Sequence, residues 1–328
     1  MNTLLVKPGA ELFAIEELTY NSIKGMQIDD GVIAFESPIT SDSHLTFPYW
    51  LISDLCELKY ETFNKLYSQT VNWFCEQLHN EQINQSWPLL WLVPSDNGHT
   101  ADPSKAHQFQ LLLKKKMSRI AKLATTDNPD STNSLTGLFI IELKNKKVLI
   151  SRTATYFGQR RMRDDAEAPS RSFLKIEEAL SIFKAVPGYN ETVVDLGAAP
   201  GGWTWAAAKR GADVFAIDNG PLKKGPLNHP NVHHIRSDAF TWHPANPVDW
   251  LFCDIVDQPM KVLNLVKTWF ANRWCKYAIV NFKYGYSNPN KVINHLYSKD
   301  GLAGYCKYFK LIHLFHDREE ITMLAEIE

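Results

Sequence analysis

What these 328 residues lack already narrows what they can be. No apolar window approaches the roughly 18 residues that a membrane span needs, and the N-terminus has neither the basic start nor the long apolar stretch of a secretory leader. The expectation is a soluble, cytoplasmic protein without a membrane partner. Cysteine is scarce: Cys56, Cys75, Cys253, Cys275 and Cys306 are widely spaced, with no C-x-x-C pair and no His cluster nearby. Neither a zinc site nor a disulfide framework is indicated, so no metal is expected and the thiols read as reduced core residues. Charge of one sign is also missing, with 35 Lys and Arg against 36 Asp and Glu, so a nucleic-acid partner has to be met by local basic clusters. No internal repeat and no long low-complexity segment interrupts the chain. What is present is a hydrophobic content of 45%, ample for packed cores, in a length that suggests two or three domains.

The chain is organised around Val193 to Trp203, Val-Val-Asp-Leu-Gly-Ala-Ala-Pro-Gly-Gly-Trp. A short apolar run ending in Asp195, a turn of small residues and then a helix start form the strand-turn-helix arrangement that brings a nucleotide-like ligand against open backbone. The turn departs from the dinucleotide fingerprint, because Pro200 removes an N–H and no Gly follows Gly202 at the required offset, and it lacks the Lys-Ser/Thr ending of a P-loop. Phosphate is therefore not its obvious guest. Gly197, Ala198, Ala199, Gly201 and Gly202 instead clear room for a bulky, mostly uncharged adenosine with an amino-acid tail. S-adenosylmethionine fits that description. A plain tight turn needs one or two glycines and not this run.

Before that stretch, Leu4–Val6, Glu11–Tyr20 and Val32–Phe35 read as strand, helix, strand. Apolar residues recur at helical spacing from Phe63 to Leu78, and Trp87 to Val93 is a compact apolar run closed by Pro94. Ser95–Ser104 reads as a loop, Ala106–Ala124 as one helix, Thr125–Ser134 as a loop, and Leu138–Leu143 with Lys147–Thr153 as a hairpin around Asn145. Composition shifts at Gln159–Arg171, where a domain boundary is expected. After a helix over Ser172–Ala185, strands are expected near Thr192–Leu196, Asp213–Ile217, Val232–Ile235, Trp250–Asp254, Tyr277–Phe282, Tyr308–Phe315 and Ile321–Ile327. Alternation on that scale implies an α/β, doubly wound sheet with its ligands at the carboxyl ends of the strands.

Acids sit at those strand ends. Asp218 ends the second strand, about 20 residues beyond the glycine turn, where a carboxylate can bind both ribose hydroxyls of a nucleoside. Asp238 follows the third strand and could accept from an adenine amino group, and Asp254 closes the fourth. A single Asp after a strand is more often a helix cap or a turn former. Three in register favour a site.

Five segments, Asp195 to Trp203, Asp218-Asn219-Gly220, Cys253-Asp254, Asn281-Phe282-Lys283 and His316-Asp317-Arg318-Glu319-Glu320, carry a family likeness together with Ser170-Arg171-Ser172-Phe173-Leu174-Lys175. The chain resembles the bacterial large-subunit ribosomal RNA cytidine 2'-O-ribose methyltransferases and, more distantly, the heat-shock uridine 2'-O-methyltransferase group, whose catalytic half is FtsJ-like. The resemblance is strong from Pro169 onward. In the N-terminal half it rests on layout and implies a ferredoxin-like piece over residues 1–55, a THUMP-like RNA-binding domain over 56–160, and a Rossmann-like methyltransferase domain over 161–328. It also implies a catalytic group of Lys175, Asp254, Lys283 and Glu320. Cofactor contacts are expected from Ser172, Gly197, Ala199, Pro200, Gly201, Gly202, Trp203, Asp218, Asp238 and Asp254. Tyr284–Asn290 departs from the family, which is richer in basic residues just after the lysine.

The chemistry agrees with that group. A ribose hydroxyl is a poor nucleophile at neutral pH, so methyl transfer from a sulfonium needs a positioned base and in-line geometry. A lysine acts as that base only in its neutral form, which burial and a neighbouring cation both favour. Lys283 is the candidate base, Asp254 its orienting partner and Glu320 the partner of Lys175. Glu319 is an alternative to Glu320, because adjacent residues of a strand face opposite ways. Ser172 reads equally well as an N-cap of the helix that carries Lys175.

Ribosomal RNA, the implied partner, needs positive charge. Two clusters supply it: Lys114, Lys115, Lys116, Arg119 and Lys122, and Arg160, Arg161, Arg163 and Arg171. The first is equally a solvated helix face. The second stands at the entrance to the catalytic half and is favoured. Two other readings compete. A base methyltransferase is disfavoured, since no Asn-Pro-Pro-Tyr-like clamp is present and Cys253 lies outside a Pro-Cys motif. A non-catalytic, cofactor-binding RNA scaffold is disfavoured by the presence of all four catalytic positions. A monomer is favoured.

Overall fold

The computed structural model describes residues 1–39, 43–78, 81–129, 134–144, 146–183 and 185–328. They fall into two compact units, Met1–Gly158 and Gln159–Glu328.

The described residues of the first unit form β1 (Asn2–Leu5), α1 (Glu11–Tyr20), β2 (Gly25–Asp29), β3 (Val32–Phe35), β4 (Trp50–Ser53), β5 (Cys56–Lys59), α2 (Phe63–Gln77), β6 (Trp87–Ser95), β7 (Gly98–Ala101), α3 (Pro103–Lys116), α4 (Ser118–Leu123), β8 (Ala124–Thr125), β9 (Ser134–Glu142) and β10 (Lys147–Tyr156). One sheet runs through it in the order β2-β3-β1-β4-β10-β9-β6-β7, with β5 on β10 and β8 on β6. Helix starts are set chemically. The Thr62 hydroxyl accepts from Lys65 N at the head of α2, and the Asp102 carboxylate accepts from Ser104 N and Lys105 N with Pro103 in the first turn of α3. The apolar stripe Leu66, Val71 and Phe74 of α2 then packs with Trp87, Trp91, Phe109 and Leu113 into one core.

Two expectations change here. The loop over Ser95–Ser104 contains β7, paired antiparallel with β6. The single helix over Ala106–Ala124 is two, broken at Met117, whose backbone leaves helical geometry (φ -136, ψ 63). Three consecutive lysines end α3, where cations suit the carbonyl end of a helix. The hairpin of β9 and β10 is present, though Asn145 at its turn lies outside the described residues.

The second unit comprises α5 (Phe173–Ile182), β11 (Thr192–Leu196), α6 (Gly202–Ala208), β12 (Asp213–Ile217), β13 (Val232–Ile235), β14 (Val248–Cys253), α7 (Pro259–Ala271), β15 (Cys275–Lys283), α8 (Pro289–Tyr297), β16 (Cys306–Ile312) and β17 (Glu320–Ile327). Its sheet runs β13-β12-β11-β14-β15-β17-β16, parallel from β13 to β15 and antiparallel at β17 and β16. Strand order therefore reverses between β11 and β14, and a crevice opens outside their carboxyl ends. Central strands covered on both faces read as unbroken apolar runs, which is why Val193, Val194, Trp250, Leu251, Phe252, Ile279 and Val280 are all buried.

Candidate active site

At the end of β11 the chain turns through Gly197 (φ 77) and Gly201 (φ 109), both in the left-handed region that glycine adopts without strain. A Cβ on Gly197 would stand 2.7 Å from the Ile255 side chain, and one on Gly202 2.6 Å from Ser170 Oγ, so neither position admits a side chain as built. The turn is held from the next strand. Asp218 at the end of β12 accepts from Ala199 N (3.0 Å) with one oxygen and from Gly220 N (2.7 Å) with the other. Each carboxylate oxygen keeps a second lone-pair site for a ligand hydroxyl. Asp238 is exposed, and its carboxylate accepts from Phe240 N (2.9 Å), the Asx-type turn. Asp195 is buried; it accepts from the Thr204 hydroxyl (2.6 Å), and its other oxygen, Oδ1, has no hydrogen-bond partner within the chain. Burial, with the Asp254 and Asp218 charges adding to it, pushes the Asp195 carboxyl up to about 7.

Two lysine–carboxylate pairs form at the ends of β14, β15 and β17. Lys283 Nζ lies 2.8 Å from Asp254 Oδ1 and donates to the Asp254 carbonyl at 2.8 Å. Lys175, in the first turn of α5, pairs with Glu320 Oε1. Burial works against the charged form of Lys175, but the Glu320, Asp254 and Asp317 carboxylates outweigh it and raise its pKa above the ordinary lysine value. Lys175 is thus a fixed cation. Glu320 is buried while Glu319 is exposed, so the strand turns Glu320 toward Lys175. Ser172 does not cap α5 with its side chain; its hydroxyl donates to Asp254 Oδ2 at 2.5 Å. The Trp203 indole is packed in the core, where its N–H donates to the Ser172 carbonyl (3.1 Å) and its ring meets Phe252 edge-on.

Four further residues complete the arrangement and were missed from sequence. Asn281, fully buried, donates from Nδ2 to Asp254 Oδ1 (3.2 Å), lies 3.5 Å from Glu320 Oε2, and accepts from the Thr322 hydroxyl at 2.6 Å. It bridges the two ion pairs. Thr322 Oγ1 also lies 3.0 Å from Asp317 Oδ2, which accepts from Leu314 N at 2.9 Å as well. Burial and the nearby Glu320 charge raise the Asp317 carboxyl well above the usual carboxylate range. Glu178 of α5 accepts from Arg160 N, Phe315 N and His316 N, and so fixes the backbone that leads to Glu320. A sequence signal existed for two of them: Asn281 is a polar residue in an apolar strand, two positions before Lys283 and therefore on its face, and Asp317 stands in the His316–Glu320 segment that carries the family likeness.

Of the basic residues, Arg161, Arg163 and Arg171 are exposed and Arg160 is half-buried. In the other unit Lys114, Lys115, Lys116, Arg119 and Lys122 are exposed, with Lys116 donating to Asn72 and Arg119 to Asn84.

Comparison with known proteins bears on this geometry. The FtsJ-like methyltransferase family matches residues 168–284. The Ribosomal RNA large subunit methyltransferase M of Laribacter hongkongensis is 34% identical over 259 residues, which cover 74% of this chain and 71% of that protein. The chain belongs to the ribosomal RNA large subunit methyltransferase M family. Members from Marinomonas sp. (43% identical over 181 residues, 52% of each chain) and Stenotrophomonas maltophilia (42% over 170 residues, 48% of this chain and 47% of the other) match over about half their length. It is a methyltransferase with a Rossmann-like catalytic sheet, and its cofactor is S-adenosylmethionine. The residues fit that group: glycines where a side chain cannot stand, the partnerless Asp195 Oδ1, and Asp218 with lone pairs to spare. Among the described residues of this methyltransferase no helix is long and apolar enough to cross a membrane, and no His, Cys, Asp and Glu group is arranged to hold a metal ion.

Proposed function

We propose that this protein methylates a ribose 2'-hydroxyl of large-subunit ribosomal RNA, at a cytidine, with Lys283 as general base. The observation that carries this reading is the pair of lysine–carboxylate contacts bridged by Asn281 beside the glycine turn. S-adenosylmethionine, when bound, supplies an electrophilic methyl group on a sulfonium, with Gly197, Ala199, Pro200, Gly201 and Gly202 shaping its bed and Asp218 holding its ribose. Ser172, Asp238 and Asp254 complete the cofactor contacts.

Asp254 occupies two of the three hydrogen-bonding directions of Lys283 Nζ, one through its carboxylate and one through its carbonyl, which leaves one for the ribose hydroxyl. In its neutral form Lys283 donates both protons to Asp254 and meets the hydroxyl proton with its lone pair. Lys175, kept charged by Glu320, stabilises the oxygen as it loses that proton. A base methyltransferase acting through a cysteine is not supported: Cys253, beside Asp254, is fully buried, and burial pushes its thiol up to about 12. The family relatives are named for ribosomal RNA of the large subunit, and the exposed Arg171 next to Ser172, with exposed Arg161 and Arg163 in the segment before it, offers contacts to its phosphates. The N-terminal unit, read as a ferredoxin-like piece and a THUMP-like piece, supplies the rest of the RNA affinity.

Large-subunit RNA from cells lacking the protein, methylated in vitro and digested to nucleosides for mass spectrometry, tests the reading. The expected product is 2'-O-methylcytidine. A methyl group on a base, or none, would defeat it.

A further inference from the structure

β15 does not run straight from Lys283 into α8. The Tyr284 and Gly285 amides both donate to the Glu319 carbonyl (3.0 and 3.3 Å), Ser287 N donates back to the Tyr284 carbonyl (2.9 Å), and Gly285 takes a positive φ of 52. That is a hydrogen-bonded β-turn with Tyr286 at its third position. Both flanks are anchored, since Tyr284 is buried with its hydroxyl donating to the Arg318 carbonyl (3.3 Å) and the Asn288 side chain caps α8. Tyr286 itself is 104% exposed. A rigid turn thus displays a whole aromatic ring to water, three residues from the proposed base.

A lone exposed apolar side chain is ordinary. Its position is what separates this one. The neighbouring strand β14 does the same: two residues past Asp254, Val256 is 84% exposed. The loops leaving the two strand ends that hold the Lys283–Asp254 pair therefore each offer an apolar group to solvent. Tyr284–Asn290 also contains no Lys or Arg, so this lip has little means of gripping a phosphate.

We propose that Tyr286 stacks on the nucleobase of the ribonucleotide seated at Lys283, with Val256 supporting it. This rests on the ribose-methylation reading. The base hangs from the sugar carbon next to the one bearing the 2'-hydroxyl, so a ribose held at Lys283 carries its base to the lip of the site. A base freed from its helix is recognised by stacking on an aromatic face, and stacking tolerates sequence because every base has such a face. This lip binds by ring contact instead of by charge.

The full-length protein, given in-vitro transcribed large-subunit ribosomal RNA and labelled cofactor, provides the test. Tyr286→Ala should raise KM for RNA about 10-fold or more, the scale of one lost stacking contact, with the loss confined to KM and cofactor affinity unchanged. Tyr286→Phe should restore the wild-type value, and Val256→Ser should raise KM by a smaller factor. An unchanged KM in Tyr286→Ala, or a Phe variant as poor as the Ala variant, would overturn the stacking role. Product analysis of the wild-type reaction keeps the two questions apart: 2'-O-methyl product with an unaffected Tyr286→Ala variant sinks this inference alone, while its absence sinks the reading beneath it.

Discussion

The carboxylates of α1 in the N-terminal unit and those of the candidate site in the C-terminal unit meet different kinds of partner. In the N-terminal unit Glu17 is met by the amides of Thr46 and Phe47, and Glu11 by those of Gly9 and Gly31. In the C-terminal unit Asp254 and Glu320 are met by lysine side chains, with Asn281 between them. A backbone amide fixes a chain but is too weak an acid and too weak a base to serve in proton transfer at neutral pH; an amine can give and take a proton. Burial of charge is therefore not by itself a mark of chemistry. The kind of partner is.

The largest effect expected from that contrast lies at Lys283. Lys283→Ala should cut the rate of methyl transfer by about 100-fold or more, the usual worth of a positioned base, with cofactor and RNA affinity near wild type. Lys283→Arg should fail nearly as badly, because a guanidinium keeps the charge but does not deprotonate in a protein. Single-turnover kinetics with excess enzyme read this directly. An arginine variant with most of the wild-type rate would show that position 283 supplies charge and not proton abstraction.

A smaller effect should follow from separating the units. A chain beginning at Gln159 keeps the glycine turn, Asp218, both ion pairs and Arg161, Arg163 and Arg171, but loses the exposed lysines that end α3. It should bind S-adenosylmethionine with unchanged affinity by calorimetry and methylate RNA about 10-fold less well at physiological salt. Its activity should also depend less steeply on salt, since fewer phosphates are neutralised. Full activity of the shortened chain would remove the recognition role from the N-terminal unit.

How much could be read in advance differed between the same two regions. β11, β12 and β13 lie where the sequence reading set them, and β14 and β15 within two residues; β11, β14 and β15 are buried apolar runs, while the edge strand β13 has no buried residue and was placed by the alternation of elements. The N-terminal sheet hides better. β2 (Gly25–Asp29) and β5 (Cys56–Lys59) are short, carry no fully buried residue, and are held by pairing with β3 and β10. Register of that kind comes from long-range partners that no local pattern announces. At the site, the Glu319 or Glu320 question closed only when β17 was seen beside β15, with Lys283 opposite Glu320. The core packing of the Trp203 ring was not announced by its place in the motif. Glu178 and Thr322 had no signal, for each acts on segments brought to it by folding.

The smallest effect on catalysis should come from Glu17, and it tests the structural half of the comparison. Burial raises its carboxyl from 4.5 to about 8, although the Thr46 and Phe47 contacts pull the other way. The folded protein therefore retains a proton on Glu17 that the unfolded chain gives up near pH 4.5. The stability contributed by this neutral acid is fully present below that pH and is lost progressively as pH rises through about 8. Glu17→Gln replaces the neutral acid with a group of the same shape that does not titrate and can still accept from Thr46 N. Its melting temperature should match wild type near pH 4.5 and exceed it increasingly toward pH 8, by roughly 2 to 8 °C for each kcal/mol gained. The rate of methyl transfer should be unchanged, because Glu17 anchors chain and moves no proton for the reaction. Melting curves of both proteins from pH 4.5 to 9, with a methyl-transfer assay at pH 7.5, decide it. Parallel pH profiles would mean that Glu17 titrates alike in the folded and unfolded chain, and a fall in methyl transfer would mean that this buried acid belongs with Asp254 and Glu320 after all.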